Sequence, residues 1–162
     1  RIKISTNMQI YWDHIFIANT ELKTSLKPIR LDPISADLHY RGFSQISQVN
    51  FSSPHLPDYY TTTKEKKWRD LIGNYTKYGD VSSLLINSDN KYVIMNSGDE
   101  ITLKFETKDI PPLENGWVRD FIFYNDGWLK DGDLNTASGK TVKPLPFHSM
   151  ETYPAGAEDG YP

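Results

Sequence analysis

The sequence predicts an all-β domain, an antiparallel β-sandwich of jelly-roll type, and three observations support this fold class. Aromatic residues make up 13% of the 162 residues, and aromatic side chains favour strands. Several short segments alternate between apolar and polar residues, which is typical of strands with one buried face. Proline and glycine interrupt these segments, and no helices separate them at regular intervals, which argues against a parallel α/β sheet.

Alternation predicts the strands in the first part of the chain. We expect two strands, or one bulged strand, within residues 1–18. A weaker strand is expected over 22–31, and a clearer one over 36–41 that ends at Gly42. The polar, proline-containing segment 44–63 is predicted to be a long loop.

One short helix is expected near residues 64–72. Trp68, Leu71 and Ile72 have the spacing of one helical face, and Gly73 follows as a C-terminal stop. The lysines at the start of this segment would then lie on its solvated side.

The second half of the chain predicts two further strands, a buried strand and a tail. Residues 91–95 and 101–105 alternate on either side of Gly98, so we expect a hairpin-like pair. Residues 117–125 are apolar on both faces and are predicted to form the most buried strand. The proline-rich residues 140–162 are expected to form an extended tail over the sheet.

Charge and composition exclude several classes of function. The formal charge is −3, so we expect no nucleic-acid partner, which would usually require a basic face. The absence of cysteine excludes disulfides and thiolate chemistry. No apolar run reaches the roughly 18 residues of a membrane span. Because the chain opens on Arg1 without an initiator methionine, we interpret residues 1–162 as one domain from a longer protein.

The acidic loop after the predicted buried strand is a candidate calcium site. Asp131, Asp133 and Asn135 have the 1, 3, 5 spacing of oxygen ligands in a calcium loop. The rest of that pattern is missing, because Thr136 stands where glycine is needed and Val142 where a glutamate is needed. The alternative is that these residues only form a turn.

The same region supplies a candidate ligand-binding surface. Tyr124 and Trp128 can stack on the apolar face of a sugar, while Asp126 and Asp131 can accept hydrogen bonds from its hydroxyl groups. The alternative is that the aromatic side chains pack in the core. Exposure of Trp128 and Tyr124 distinguishes the two interpretations.

A hydrolase is a third hypothesis, using Asp120 with His39 or His148. Asp120 lies within the predicted buried strand, where a carboxylate needs a partner or its pKa rises. Asp37 and His39 would point the same way on a strand and could form a hydrogen bond. Because no GxSxG motif is present, a structural role is expected for each histidine.

Long segments of the chain resemble the C-terminal region of bacterial FG-GAP/VCBS proteins that carry an ASPIC/UnbV segment and are similar to the cartilage acidic protein family. These segments are TNMQIYWDHIFIA (6–18), ADLHYRGFS (36–44), KWRDLIGNYTKYGDV (67–81), YVIMNSGDEITLKF (92–105), GWVRDFIFYNDGWLKDGDLNT (116–136) and TVKPLPFHSM (141–150). The resemblance implies an extracytoplasmic accessory β domain that is periplasmic, secreted or on the cell surface. It supplies no catalytic residues and no calcium ligands for this chain.

Together these observations predict a non-catalytic binding or assembly domain of an exported bacterial protein, with a glycan or a neighbouring protein as its ligand. A structural module that packs against another subunit through residues 44–63 and 140–162 is the alternative.

Overall fold

A computed structural model describes residues 3, 26–66, 69–130, 132 and 138–156 of the chain. Its regular structure is almost all strand, in two antiparallel sheets, so the all-β prediction is confirmed. The described residues form five strands, β1 (Pro33–Tyr40), β2 (Phe43–Ser47), β3 (Leu56–Thr63), β4 (Gly79–Asp80) and β5 (Asp99–Phe105), with one 3-10 turn at Ser82–Leu84. One sheet has the order β4-β1-β5, and the other contains β2 and β3.

Strand β1 is the centre of the three-stranded sheet. The sequence predicted a strand over 36–41, and the apolar side chains of β1 pair across the sheet with those of β5. Leu38 lies opposite Ile101, and Ala36 lies opposite Leu103. These cross-strand pairs place apolar residues on one face, which fixes the register because a one-residue slip would expose them.

A small apolar core lies beneath β1. Ala36, Leu38 and Val81 are buried, and the partly buried side chains packed against them are Leu84, Val93, Ile101 and Leu103. The 3-10 turn is attached to β1 by two hydrogen bonds. Ala36 N–H donates to Ser82 Oγ at 2.9 Å, and Val81 N–H donates to the Ala36 carbonyl at 2.9 Å.

Strands β2 and β3 form a hairpin where the sequence predicted a long loop over 44–63. The loop prediction was wrong because the Tyr-Tyr-Thr-Thr-Thr run at 59–63 has strong strand propensity, which its polar character obscured. The hairpin pairs Phe43 with Thr63 and Ser47 with Leu56. Most of its side chains are exposed.

Three other predicted elements differ from the structure. Described residues 64–66 and 69–72 contain no helix, so the helix expected near 64–72 is not found there. Residues 91–95 form no strand, because β5 pairs with β1 instead, where it covers Leu38 and Ala36. Residues 26–31 of the strand predicted over 22–31 are not in a strand either.

Segment 117–125 is neither a strand nor buried, which corrects the prediction that it would be the most buried strand. Ile122 is 94% exposed, and Val118, Phe121 and Phe123 are also exposed. No strand of the described residues lies beside this segment to cover its apolar side chains. The strands predicted within 1–18 lie outside the described residues.

The first part of the predicted tail is attached to the preceding chain. Val142 N–H donates to the Ile72 carbonyl at 2.9 Å, and Ile72 N–H donates to the Lys140 carbonyl at 2.9 Å. Val142 and Phe147 are buried. Residues 140–156 therefore contribute to the packing of this chain.

Candidate functional site

Three distant segments of the chain meet at the Asp126 carboxylate. Ser88 Oγ donates a hydrogen bond to Asp126 Oδ2, and His148 Nε2 lies 3.3 Å from the same oxygen. Ser88 Oγ and His148 Nε2 are 3.2 Å apart. The three side chains are exposed, so this cluster is open to solvent.

Asn90 fixes the orientation of the His148 ring. Asn90 Oδ1 accepts the backbone N–H of His148 at 2.9 Å, which identifies this atom as the amide oxygen. His148 Nδ1 lies 3.0 Å from the same oxygen. Because an oxygen faces Nδ1, Nδ1 carries a proton, and in the neutral ring Nε2 is left as an acceptor.

These contacts also affect the ionisation of Asp126. The hydrogen bond from Ser88 lowers the pKa of the Asp126 carboxyl, and the hydrogen bond that His148 Nε2 donates when the ring is protonated lowers it further. Both act on Oδ2. Within the described part of the chain, Asp126 Oδ1 makes no hydrogen bond, so this oxygen is available to a ligand.

Trp128 is held at the surface by Tyr153. Their ring centroids are 4.5 Å apart at an interplanar angle of 69°, an edge-to-face contact. Tyr153 is in turn held by its hydroxyl group, which donates to the Pro144 carbonyl at 2.9 Å. Trp128 remains 50% exposed, so it combines a supported ring with free surface.

Lys130 also contacts this part of the surface. Its ammonium group donates to the carbonyls of Val142 at 3.0 Å and Pro144 at 3.3 Å. The same ammonium lies 5.8 Å from the centroid of the Tyr153 ring, within range of a cation–π contact. The segment that carries Trp128 is thereby attached to residues 142–144 of the tail.

Of the other residues predicted to bind a ligand or a metal ion, only Tyr124 lies within the described residues. Tyr124 is 82% exposed, so it is free to contact a ligand. Asp131, Asp133 and Asn135, the predicted calcium ligands, lie outside the described residues. Among the residues that are described, no group of three or more histidine or acidic side chains could hold a metal ion.

Neither histidine of the hydrolase hypothesis pairs with Asp120. His39 Nδ1 lies 3.1 Å from Asp37 Oδ2, as the strand spacing predicted, and its Nε2 lies 3.5 Å from Glu100 Oε1. His148 pairs with Asp126 instead. Asp120 is exposed, so it is solvated and the predicted need for a buried partner does not arise.

Sequence reasoning missed three residues of the site: Ser88, Asn90 and Tyr153. Asn90 and His148 are 58 positions apart along the chain, and Ser88 and Asp126 are 38 positions apart. No motif spans such separations, so local spacing carried no signal for them.

Comparisons of the chain with protein-family models, with curated protein sequences and with solved structures found no match. Among the described residues, no helix has the length and apolar character needed to cross a membrane.

Proposed function

We propose that this chain is a glycan-binding accessory domain that holds its ligand at the surface formed by Tyr124, Asp126, Trp128 and Tyr153. Binding would use stacking of a sugar on the Trp128 ring and hydrogen bonds from sugar hydroxyl groups to Asp126, with no bond broken. The observation that carries this proposal is the exposed, supported ring of Trp128.

The support of Trp128 matters for affinity. A free tryptophan on a surface must lose rotamer freedom when a ligand binds, at a cost of about 0.5–1.5 kcal/mol for a mobile side chain. Tyr153 and the Pro144 carbonyl already restrict this part of the surface. The ring is therefore prepared for stacking before the ligand arrives.

Asp126 would add a polar contact to the stacking of the sugar on Trp128. It lies two positions before Trp128 in the sequence, and its lowered pKa keeps it ionised at neutral pH. An ionised carboxylate is a stronger hydrogen-bond acceptor than a neutral one. Asp131 is proposed as a further acceptor, and calcium at Asp131, Asp133 and Asn135 remains a proposal.

A glycan array followed by calorimetry tests this function. The unmodified chain is expected to bind at least one glycan, and Trp128→Ala is expected to weaken that binding about tenfold, which equals about 1.4 kcal/mol. Tyr60→Ala is the matched control, because Tyr60 is also exposed but lies on β3. Binding by no glycan, or equal binding by Trp128→Ala, would contradict the proposal.

The same calorimetry with and without calcium tests the metal prediction separately. Glycan binding that requires added calcium would support a site at Asp131, Asp133 and Asn135. Equal affinity in a chelator would show that the glycan is held without calcium.

A second candidate function is assembly with a neighbouring protein, and one observation favours it. The exposed apolar side chains of segment 118–123 form the kind of surface that soluble monomers usually cover. The resemblance to exported FG-GAP/VCBS proteins is consistent with an extracytoplasmic module that carries either function.

A further inference from the structure

The cluster of Ser88, Asn90 and His148 has the connectivity of a nucleophile, a base and an orienting group. His148 Nε2 lies 3.2 Å from Ser88 Oγ, and Nδ1 lies 3.0 Å from Asn90 Oδ1. A nucleophile within hydrogen-bond reach of a base, with the base oriented by a third group, is the arrangement that activates a serine. Asp126, which also belongs to the glycan-binding surface, contacts both Ser88 and His148 through Oδ2.

The hydrogen bonds around Asn90 determine which nitrogen of His148 can act as a base. Asn90 Oδ1 already accepts the backbone N–H of His148, so it faces Nδ1 as an acceptor and holds a proton there. The neutral ring then presents an unprotonated Nε2 toward Ser88. This is the tautomer that can remove the proton from the Ser88 hydroxyl group.

We propose that Ser88 is a nucleophile for acyl transfer from carboxylic esters, with His148 as general base and Asn90 as a positioning residue. Ser88 Oγ would attack the ester carbonyl carbon while Nε2 accepts the hydroxyl proton. The C–O bond to the leaving alcohol then breaks, and His148 returns the proton to that alcohol. Water hydrolyses the acyl–serine bond in the same way, releasing the acid and restoring Ser88.

Asp126 has a defined part in these steps. In the resting cluster the Ser88 hydroxyl group donates to Asp126 Oδ2. Rotation about the Cβ–Oγ bond redirects this proton to Nε2 without moving a heavy atom. Once Nε2 is protonated, it faces Asp126 Oδ2 at 3.3 Å, so the carboxylate stabilises the imidazolium that forms.

The cluster is open to a substrate. Ser88 and Asn90 are exposed, and half of the His148 side chain is accessible. An exposed site has no deep cavity to select a substrate, so activated esters of small acids are the substrate class that fits. This activity does not depend on glycan binding, and either can be present without the other.

Covalent trapping tests the proposal without relying on any variant. The chain is treated with a fluorophosphonate probe, digested, and the labelled peptide is identified by mass spectrometry. Label is expected on Ser88 and not on Ser83, an exposed serine of the same segment that serves as the internal control. Equal labelling of the two serines, or none on Ser88, would overturn the proposal.

Hydrolysis of p-nitrophenyl acetate gives the matching kinetic test. Ser88→Ala and His148→Ala are expected to lower the rate by about 10²-fold or more, the usual contribution of general base catalysis. Ser83→Ala and His55→Ala should leave it unchanged. Rates that stay the same in Ser88→Ala would show that the hydrolysis arises elsewhere.

Variants of Asn90 distinguish a role in positioning His148 from a purely structural role. Asn90→Ala is expected to slow the labelling of Ser88 about tenfold, and Asn90→Asp to restore it, because a carboxylate oxygen also accepts from Nδ1. The added charge stabilises the imidazolium, so Asn90→Asp should move the midpoint of the pH–rate profile to higher pH. An unmoved midpoint would remove Asn90 from the mechanism.

Discussion

At the scale of single residues, Asp126 connects the two proposed activities. Its Oδ2 is engaged by Ser88 and His148, while its Oδ1 faces no partner among the described residues. The Asp126 carboxylate can therefore contact Ser88 and His148 through Oδ2 and still accept a hydrogen bond from a ligand at Oδ1. Asp126 was predicted from the sequence as a ligand-binding residue, whereas its partners were not predicted.

The first prediction at this scale concerns the ionisation of Asp126. Its pKa is lowered mainly by Ser88, so Ser88→Ala should raise it toward the ordinary value of about 3.9. The cluster's contribution to stability is present above that ordinary pKa and is lost as the pH falls through the lower folded pKa. NMR titration of the Asp126 carboxyl group measures the shift, and Ser83→Ala should leave it unchanged. A Ser88→Ala titration identical to that of the unmodified chain would contradict this assignment.

The second prediction concerns the pKa of Tyr78 and the stability of the chain at high pH. Its hydroxyl group donates to Asp99 Oδ1 at 2.6 Å, and this bond, with burial and the Asp99 charge, raises the pKa of Tyr78 to about 12. The contribution to stability is present below about pH 10, the ordinary tyrosine pKa, and is lost as the pH rises toward 12.

Spectrophotometric titration of tyrosinate measures this shift, with Tyr78→Phe identifying the Tyr78 signal. Asp99→Asn removes the charge but keeps a hydrogen-bond acceptor, so the pKa of Tyr78 should fall. If Asp99→Asn leaves the Tyr78 titration where it was, the negative charge of Asp99 is not the cause of the shift.

At the scale of the elements, the predictable strands were those with one buried face. Strands β1 and β5 alternate clearly, and both were predicted. Their pairing was not, because periodicity shows which face is buried but does not show which strand lies alongside. The same limit explains segment 117–125, where an apolar sequence indicated burial although no described strand covers it.

The candidate site residues also fall into two groups, those whose contacts follow from local spacing and those brought together only by the fold. Asp37 and His39 share a strand face, so their hydrogen bond followed from a spacing of two residues. Ser88, Asn90 and His148 come together only through the fold. The exposure of Trp128, which argues against a core role, required the structure as well.

The prediction at the scale of the elements concerns the stability of the turn between β1 and β2. Gly42 has a φ of 105°, and a Cβ there would lie 2.8 Å from the backbone oxygen of Thr63. Gly42→Ala should therefore destabilise the chain by about 1–3 kcal/mol through backbone strain and this contact. Gly116→Ala is the control, because its φ is 83° and a Cβ meets nothing within 4 Å.

Urea denaturation compares the two variants. The larger loss of unfolding free energy is expected for Gly42→Ala. Equal losses would show that the close approach of β3 to this turn does not affect stability.

At the scale of the whole molecule, burial and exposure are unevenly distributed. Leu38 is fully buried, whereas Ile122 is 94% exposed. Leu38→Ala should cost about 2–5 kcal/mol of unfolding free energy, and Ile122→Lys should change it by less than about 0.5 kcal/mol. Urea denaturation measures both changes. A large loss for Ile122→Lys would mean that segment 117–125 is buried, as its sequence alone suggested.

Ile122→Lys also separates the two candidate functions of the whole domain. If the exposed apolar segment supports assembly, this charge should reduce association seen by analytical ultracentrifugation while glycan binding persists. The Trp128 surface and the cluster of Ser88, Asp126 and His148 would then act independently of the apolar segment 118–123.

The central claim is that Trp128 holds a glycan, and NMR of the tryptophan indole N–H groups during glycan titration tests it most directly. The indole signal of Trp128 should shift as the glycan is added, while that of Trp117, which is covered by the Lys27 ammonium at 4.5 Å, should stay in place. An unmoved Trp128 signal at glycan concentrations that saturate binding would contradict the claim.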